Sequence, residues 1–155
     1  FPGHGNTTED SHDGFAYSEK TLEELRQCEF LPFEAGIRAG SPFVMVGHIS
    51  LPEVTGDDLP ASLSKTIITE LLRGELEFDG VVVTDAMNMG AVAEHYSSAE
   101  AAVMAVQAGA DMILMPADFE AAYNGILQAV QEGQITEERL DRSVERILDL
   151  KLKEE

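Results

Sequence analysis

Three short apolar segments alternate with helical patterns along the chain, and they constrain the fold more than any other feature of the sequence. The segments are FVMVGH at 43–48, GVVVTD at 80–85 and DMILMP at 111–116. Each is a continuous apolar run rather than an alternation, which is typical of strands buried on both faces. We therefore predict an α/β fold with a parallel sheet covered by helices. An open doubly wound sheet and a (β/α)8 barrel both have this pattern.

Helical patterns occupy the segments around these strands, at 21–40, 63–78, 97–110, 119–134 and 136–153. Residues of capping type stand at the start of several of them, namely Thr21 with Glu24, Ser64, Ser97 with Glu100, and Thr136. Pro32 predicts a kink or joint in the first pattern. The last helix is predicted to bury a stripe made of Leu140, Val144 and Ile147.

The length of the chain bears on the choice between the two architectures. A closed (β/α)8 barrel needs about 250 residues and eight strands, whereas this chain has 155 residues and three predicted strands. We therefore interpret residues 1–155 as one partial domain, roughly the C-terminal half of a barrel. The chain is expected to be part of a larger protein.

Charge and cysteine content exclude several classes of function. The chain carries 29 acidic against 10 basic residues, a formal net charge of −19. Nucleic acids are therefore not expected as partners, because phosphate contacts need clustered Lys and Arg. Cys28 is the single cysteine, so no internal disulfide can form, and we predict a buried, inert thiol. No apolar run is long enough to predict a membrane span, and the compartment stays open.

Functional groups of a parallel α/β fold gather at the carboxyl ends of its strands. His48, Asp85 and Met115 hold these positions in the three predicted strands. Asp85 is the strongest candidate, although an aspartate there can also cap the following helix. Met87 and Met89 follow it and either line a pocket or fill the core.

The first segment, FPGHGNTTEDSHD at 1–13, is polar, irregular and rich in groups that transfer protons. The Asp10 carboxylate can orient the His12 imidazole and raise its basicity, although such a segment can equally be a solvated turn. A zinc site would use His4, His12, Asp10 and His48. The usual zinc motifs HxH and HExxH are absent, as are a Gly-x-Ser-x-Gly elbow and a phosphate-binding loop. We therefore expect neither a metal nor a cofactor.

Two separated motifs together resemble glycoside hydrolase family 3. They are FPGHGNTTEDSHD at 1–13 and FDGVVVTDAMNMGAV at 78–92, and the resemblance extends to LPFEAGIRAG, VMVGHISLP and AGADMILMP. It is closest to the bacterial β-N-acetylhexosaminidase branch. The family implies a (β/α)8 barrel, with the three predicted strands as its sixth, seventh and eighth. The family motif normally reads Lys-His-Phe-Pro-Gly-His-Gly, whereas this sequence starts at the Phe.

The resemblance implies retaining hydrolysis of glycosides. Asp85 matches the nucleophile, and His12 paired with Asp10 matches the acid/base of the hexosaminidase branch. His48 and Met89 match positions near the sugar, and Met87 is a further candidate for the pocket. His4 matches a residue that holds the loop and is also a candidate for substrate binding.

The Asp10–His12 pair favours a β-linked N-acetylglucosaminide substrate, from peptidoglycan or chitin fragments. A β-glucosidase or β-xylosidase of the same family is the alternative within the enzymes. A non-catalytic half-barrel that serves as an assembly module is the alternative from another class. Since half a barrel exposes sheet edges and apolar faces, we expect it either to self-associate or to pair with the missing N-terminal half.

Overall fold

The computed structural model describes residues 1–4, 7 and 16–153. Its strands are β1 (Ala16–Tyr17), β2 (Phe43–Val46), β3 (Ile49–Ser50) and β4 (Val81–Thr84). Its α-helices are α1 (Leu22–Gln27), α2 (Phe30–Arg38), α3 (Pro52–Thr55), α4 (Gly90–Ala93), α5 (Ser98–Ala108), α6 (Phe119–Gln131) and α7 (Glu137–Lys153). A 3₁₀ turn at Ala61–Leu63 and a π-helix at Thr66–Glu75 complete the described elements.

Parallel pairing of β2 with β4 forms the centre of the fold, as the apolar runs predict. The register pairs Phe43 with Val81 and continues to Val46 with Thr84. Phe1 lies against the other edge of β2, because the backbone N–H of Gly47 donates to the Phe1 carbonyl at 2.9 Å. The order across the sheet is therefore the Phe1 segment, β2, β4 and then the segment around Met112. Separately, β1 and β3 pair in parallel.

The third predicted strand is much shorter than expected. Met112 forms a single parallel bridge with Val83, and the ladder stops there. The backbone N–H of Leu114 bonds to the Thr84 hydroxyl at 3.0 Å instead of to a backbone carbonyl. Met115 then has a φ of 46°, in the left-handed region that a continuing strand excludes. A side chain has thus replaced the backbone acceptor that would have extended the strand.

The two faces of β2 have different surroundings, which corrects the expectation of burial on both. Val44 and Val46 are buried, whereas Phe43 and Met45 are 45 % and 46 % exposed. On the buried side, side chains from α1, α2 and the π-helix form the main core with the strands, and the largest fully buried ones include Phe30, Leu25, Ile67, Ile68 and Leu72. Each such side chain contributes about 1.5–3 kcal/mol on burial. Within the described residues, no element covers Phe43 and Met45.

The predicted helix boundaries rest on capping groups that the structure contains. Complete capping boxes join Thr21 to Glu24 and Ser97 to Glu100. The Thr136 hydroxyl accepts the N–H of Arg139 at 3.2 Å at the start of α7. Near the end of α6, Gly133 has a φ of 74°. These local interactions satisfy backbone groups that a helix end leaves unpaired.

Pro32 does not form the joint in the first helical pattern. The break falls at Cys28 and Glu29, between α1 and α2. Pro32 lies in the first turn of α2, where a missing N–H removes no helical hydrogen bond. Cys28 is exposed at this break, so the prediction of a buried thiol is wrong. The end of α1 at Cys28 places its side chain outside the apolar face that contains Leu25.

The apolar stripe that we predicted for α7 is buried only in part. Leu140 and Ile147 are half-buried, and Leu140 packs against the small core cluster of Val106, Ala129 and Ile135. Val144 is 51 % exposed, whereas Ser143 is buried. The Ser143 hydroxyl donates to Asp111 Oδ1 at 2.6 Å, and Arg146 Nη1 lies 3.3 Å from the same oxygen. Asp111 also pairs with Arg73 at 2.6 Å. Polar contacts to Asp111 therefore anchor α7 together with the apolar packing of Leu140.

Membrane insertion has no helical candidate in the described part of the chain. Each helix there is too short or too polar to cross a bilayer.

Candidate active site

Asp85 directly follows β4 and lies at the carboxyl end of the parallel pair. Its backbone N–H donates to the Val46 carbonyl at 2.8 Å, which fixes it to the end of β2. Its Oδ1 accepts the N–H of Ala86 at 2.8 Å. Helix α4 begins only at Gly90, and its N-cap is Met89. The carboxylate is therefore held at a strand end and does not cap the next helix.

A cavity of about 460 Å³ opens beside the Asp85 carboxylate. Its walls come from the Phe1 segment, α2 and the exposed face of β2, and they are mostly apolar: Phe33, Ile37, Phe43, Met45 and Ile49. Asp85 and His4 are the titratable side chains among the described lining residues. A largely apolar cavity with a few polar groups matches a small-molecule site.

His48 follows Gly47 at the end of β2 and is 1 % exposed. Its Nε2 is 3.0 Å from the Ala86 carbonyl, so Nε2 carries the proton and donates. Its Nδ1 is 2.7 Å from the Ser62 hydroxyl, which donates to it. Burial lowers the pKa of His48, opposed by the bond to Ala86 and by the negative charge of Asp85. A neutral imidazole thus connects the end of β2 to the residue after Asp85.

The other predicted site residues occupy different surroundings. Met87 is buried in the core, and its N–H donates to the Leu114 carbonyl at 2.9 Å. Met89 is half-buried just before α4. Met115 is 57 % exposed. The structure therefore separates the two methionines that the sequence analysis grouped, and Met87 packs as core.

His4 is exposed at the cavity wall, with Nδ1 at 2.8 Å from the Thr7 hydroxyl. Asp10 and His12 lie outside the described residues. The zinc hypothesis needs both of them. Across residues 1–4, 7 and 16–153, no group of three His, Cys, Asp or Glu side chains is placed to hold a metal ion.

Sequence reasoning missed two parts of the site. Ser62, which orients His48, lies in the 3₁₀ turn at Ala61–Leu63, and the sequence there carries no signal for such a contact. Phe43 and Met45 line the cavity, and the period-2 alternation of a strand would have placed them together on one face. The continuous apolar run concealed that alternation.

The fold and site define a parallel α/β domain that presents a carboxylate at a strand end. The family model "Glycosyl hydrolase family 3 N terminal domain" matches residues 1–150. The chain belongs to glycosyl hydrolase family 3.

Two similar proteins carry the names of glycosidases. Beta-hexosaminidase A of Pseudoalteromonas piscicida is 34 % identical, and the match covers 99 % of this chain and 29 % of that protein. A beta-N-acetylglucosaminidase/beta-glucosidase of Cellulomonas fimi is 33 % identical, over 97 % and 28 % of the two chains. This chain thus spans under a third of the length of these two relatives.

A solved structure shows the same arrangement of elements. The family 3 beta-N-acetylglucosaminidase of Paenibacillus sp. str. FPU-7 superposes with a TM-score of 0.95 at 47 % identity. The match covers 98 % of this chain and 30 % of the other. The family assignment therefore rests on the sequence and the fold together.

Proposed function

We propose that the complete enzyme containing this chain is a retaining glycosidase that removes β-linked N-acetylglucosamine. One observation carries the proposal, namely the Asp85 carboxylate on a largely apolar cavity whose wall includes Phe1, Gly3 and His4. The segment that bears Asp10 and His12 follows that wall in the sequence. The names of the relatives from Pseudoalteromonas and Paenibacillus support an N-acetylhexosaminide as substrate.

The proposed reaction has two displacements at the anomeric carbon. In the first, an Asp85 oxygen bonds to the carbon, the glycosidic bond breaks, and His12 gives its proton to the leaving oxygen. In the second, His12 takes a proton from water, the water oxygen attacks, and Asp85 leaves as a carboxylate. Retaining enzymes commonly use two carboxyl groups about 5–5.5 Å apart. An imidazole can replace the acid, because its unperturbed pKa lies near neutrality.

The remaining residues take supporting roles in the proposal. Asp10 orients His12, and His4 and Met89 lie near the sugar. His48 acts as a positioning residue, since both of its ring nitrogens bond to protein groups. Met87 supports the turn after Asp85 from within the core.

Completion of the barrel is part of the proposal. Phe43, Met45 and Met112 are 45 %, 46 % and 40 % exposed along neighbouring strand positions. Apolar side chains exposed in register across a sheet favour a covering element. The relatives are more than three times as long as the matched region, so we assign this role to an N-terminal half-barrel.

Reconstitution tests the proposal directly. Hydrolysis of an aryl N-acetyl-β-glucosaminide is measured for this chain alone and with the co-expressed N-terminal half. Activity is expected only with both halves, with a β-configured first product, and an Asp85→Asn variant serves as the inactive control. An aryl β-glucoside run in parallel tests the alternative that the Cellulomonas relative suggests. If the reconstituted protein folds but hydrolyses neither substrate, the alternative of a non-catalytic assembly module is favoured. If the chain alone self-associates and is active, the proposed need for an N-terminal half is contradicted.

Substitution His12→Ala tests the acid/base. A general acid contributes about 10²–10⁴-fold to rate, and we expect that loss for substrates with poor leaving groups. Aryl groups that leave readily as anions need little protonation. For substrates with such groups, the first displacement is therefore expected to slow far less. Rates for a series of aryl leaving groups measure the difference. A uniform loss across the series would contradict the assignment of His12.

Substitution His48→Ala tests the positioning role. It leaves the Ala86 carbonyl and the Ser62 hydroxyl without their buried partner, which costs about 1–3 kcal/mol of folding free energy per group. Because the released Ala86 adjoins the nucleophile, kcat is expected to fall more than KM rises. Urea denaturation and steady-state kinetics measure the two effects. A change in KM alone would indicate direct contact between His48 and the sugar.

Ser62→Ala is the matched control, because it removes one of the two hydrogen bonds of His48 and leaves the ring in place.

The pH dependence of stability gives a further readout for His48. Burial lowers the pKa of His48 in the folded state. Below about pH 6.5, His48 is therefore protonated in the unfolded state while it stays neutral in the folded state. His48 therefore destabilises the fold as pH falls through that value. The stability difference between wild type and His48→Ala is expected to shrink there.

A further inference from the structure

A second cavity lies at the other end of β4, away from Asp85. It has a volume of about 250 Å³, and its walls come from the π-helix, the end of α5 and α7. Five of the ten basic residues of the chain line it, namely Lys65, Arg73, Arg139, Arg142 and Arg146. The chain as a whole has a net charge of −19, so this cavity is a basic patch on an acidic protein.

Three of these arginines are fixed to the protein. Arg73 bonds to the carbonyls of Phe78, Gly80 and Gly109 and to Asp111. Arg139 bonds to the carbonyls of Val106 and Ala110 and to Ser143. Arg146 reaches Asp111 and Asp79. The positions of these charges are therefore preorganised before any ligand arrives.

The carboxylates near the cavity do not balance these charges. The Asp111 side chain is fully buried and is shared by all three arginines. The Asp79 side chain, which pairs with Arg146, is 95 % exposed, so water screens much of its charge. Burial and the neighbouring arginines lower the pKa of Arg139, against the effect of Asp111. The cluster is therefore a site of positive potential that an anion would stabilise.

Lys65 and Arg142 supply the groups that can reach a ligand. Both are exposed, and neither forms an ion pair with another described residue. They stand on different helical segments that face the same cavity. A guanidinium fork and an ammonium group on facing walls match the oxygens of a tetrahedral anion.

We propose that this cavity binds a phosphate group, with Lys65 and Arg142 as the contacting residues over the fixed arginine cluster. The phosphate can belong to inorganic phosphate or to a sugar phosphate monoester. The site is independent of glycoside hydrolysis, because it opens at the amino end of β4 and Asp85 lies at the carboxyl end.

Anion titrations on the full chain test this site. Thermal melting and calorimetry are run with inorganic phosphate and with a sugar phosphate, with chloride adjusted to keep ionic strength constant. A saturable rise in Tm with phosphate over chloride is expected, since a ligand that binds the folded state raises its stability. Whichever of the two compounds binds more tightly indicates whether the site takes inorganic phosphate or a sugar phosphate. If phosphate raises Tm no more than chloride does at the same ionic strength, the proposal is overturned.

Charge variants locate the binding. The double variant Lys65→Gln/Arg142→Gln is expected to weaken phosphate binding about tenfold or more, since two charge-assisted contacts are lost. Without phosphate it is expected to melt no lower than wild type, because the substitutions relieve repulsion. Arg38→Gln is the matched control, as Arg38 is an exposed arginine on α2. Equal binding by the double variant and wild type would also overturn the proposal.

A third variant separates this site from the active site. Asp85→Asn is expected to bind phosphate with the affinity of wild type. A change in phosphate affinity in Asp85→Asn would place the binding at the active-site cavity instead. An inactive glycosidase that still binds phosphate would leave this inference intact.

Discussion

Substitution of Asp85 by asparagine in the complete enzyme is expected to lower kcat for aryl N-acetyl-β-glucosaminides by about 10⁴-fold or more, as loss of a catalytic nucleophile does elsewhere. Asparagine keeps the shape of the side chain and can still accept the Ala86 N–H through its carbonyl oxygen. It lacks the charge and the nucleophilic oxygen that would bond to the anomeric carbon. The loss is therefore expected in turnover and not in folding.

Asp79→Asn is the matched control for Asp85→Asn. Asp79 lies just before β4 and is exposed, whereas Asp85 follows the same strand on the cavity. Near-normal turnover is expected for Asp79→Asn, and both variants are expected to unfold in urea close to wild type. Substantial turnover by Asp85→Asn, or a comparable loss in Asp79→Asn, would contradict the assignment of the nucleophile.

Local signals in the sequence predicted the parts of the fold that local chemistry determines. Capping boxes at Thr21 and Ser97 require only a hydroxyl and a carboxylate three residues apart, and both are present. The parallel pairing of β2 and β4 follows from apolar runs separated by a helical segment. The position of Asp85 at a strand end follows from the same pairing. The capping boxes need only neighbours in sequence, and the strand pairing needs only the apolar character of the two runs.

Several features that the sequence did not predict depend on long-range polar contacts. The third strand ends early because the Thr84 hydroxyl takes the N–H of Leu114. His48 is held by Ser62 and Ala86, from two other segments. On α7, Ser143 is buried between half-buried apolar residues because its hydroxyl bonds to Asp111. Periodicity reports which residues are apolar, but it does not report which polar side chains find a buried partner.

The two ends of β4 have different surroundings in the molecule. Its carboxyl end presents Asp85 to an apolar cavity. At its amino half, the Val82 N–H donates to Asp111 Oδ2 at 2.9 Å, which connects the strand to the arginine cluster. A single carboxylate thus joins β4, the π-helix and α7. The stability of the sheet that positions Asp85 depends on that carboxylate.

Substitution Asp111→Asn is accordingly expected to destabilise the fold by about 3–5 kcal/mol, the usual cost of removing one partner from a buried ion pair. The asparagine retains much of the shape but leaves Arg73, Arg139 and Arg146 without their shared counter-charge. Urea denaturation measures the free energy of unfolding, with an unchanged slope expected for an intact native state.

We expect this loss of stability because the Asp111 carboxylate is buried among the three arginines, and not merely because one negative charge is removed. Asp79→Asn again provides the control, since it removes a carboxylate from the same cluster at its exposed rim, where ion pairs contribute little. Phosphate should partly restore the stability of Asp111→Asn, because an anion in the adjacent cavity supplies negative charge to the same arginines. A loss in Asp79→Asn equal to that in Asp111→Asn would show that net charge, and not the buried contact, stabilises α7 against β4.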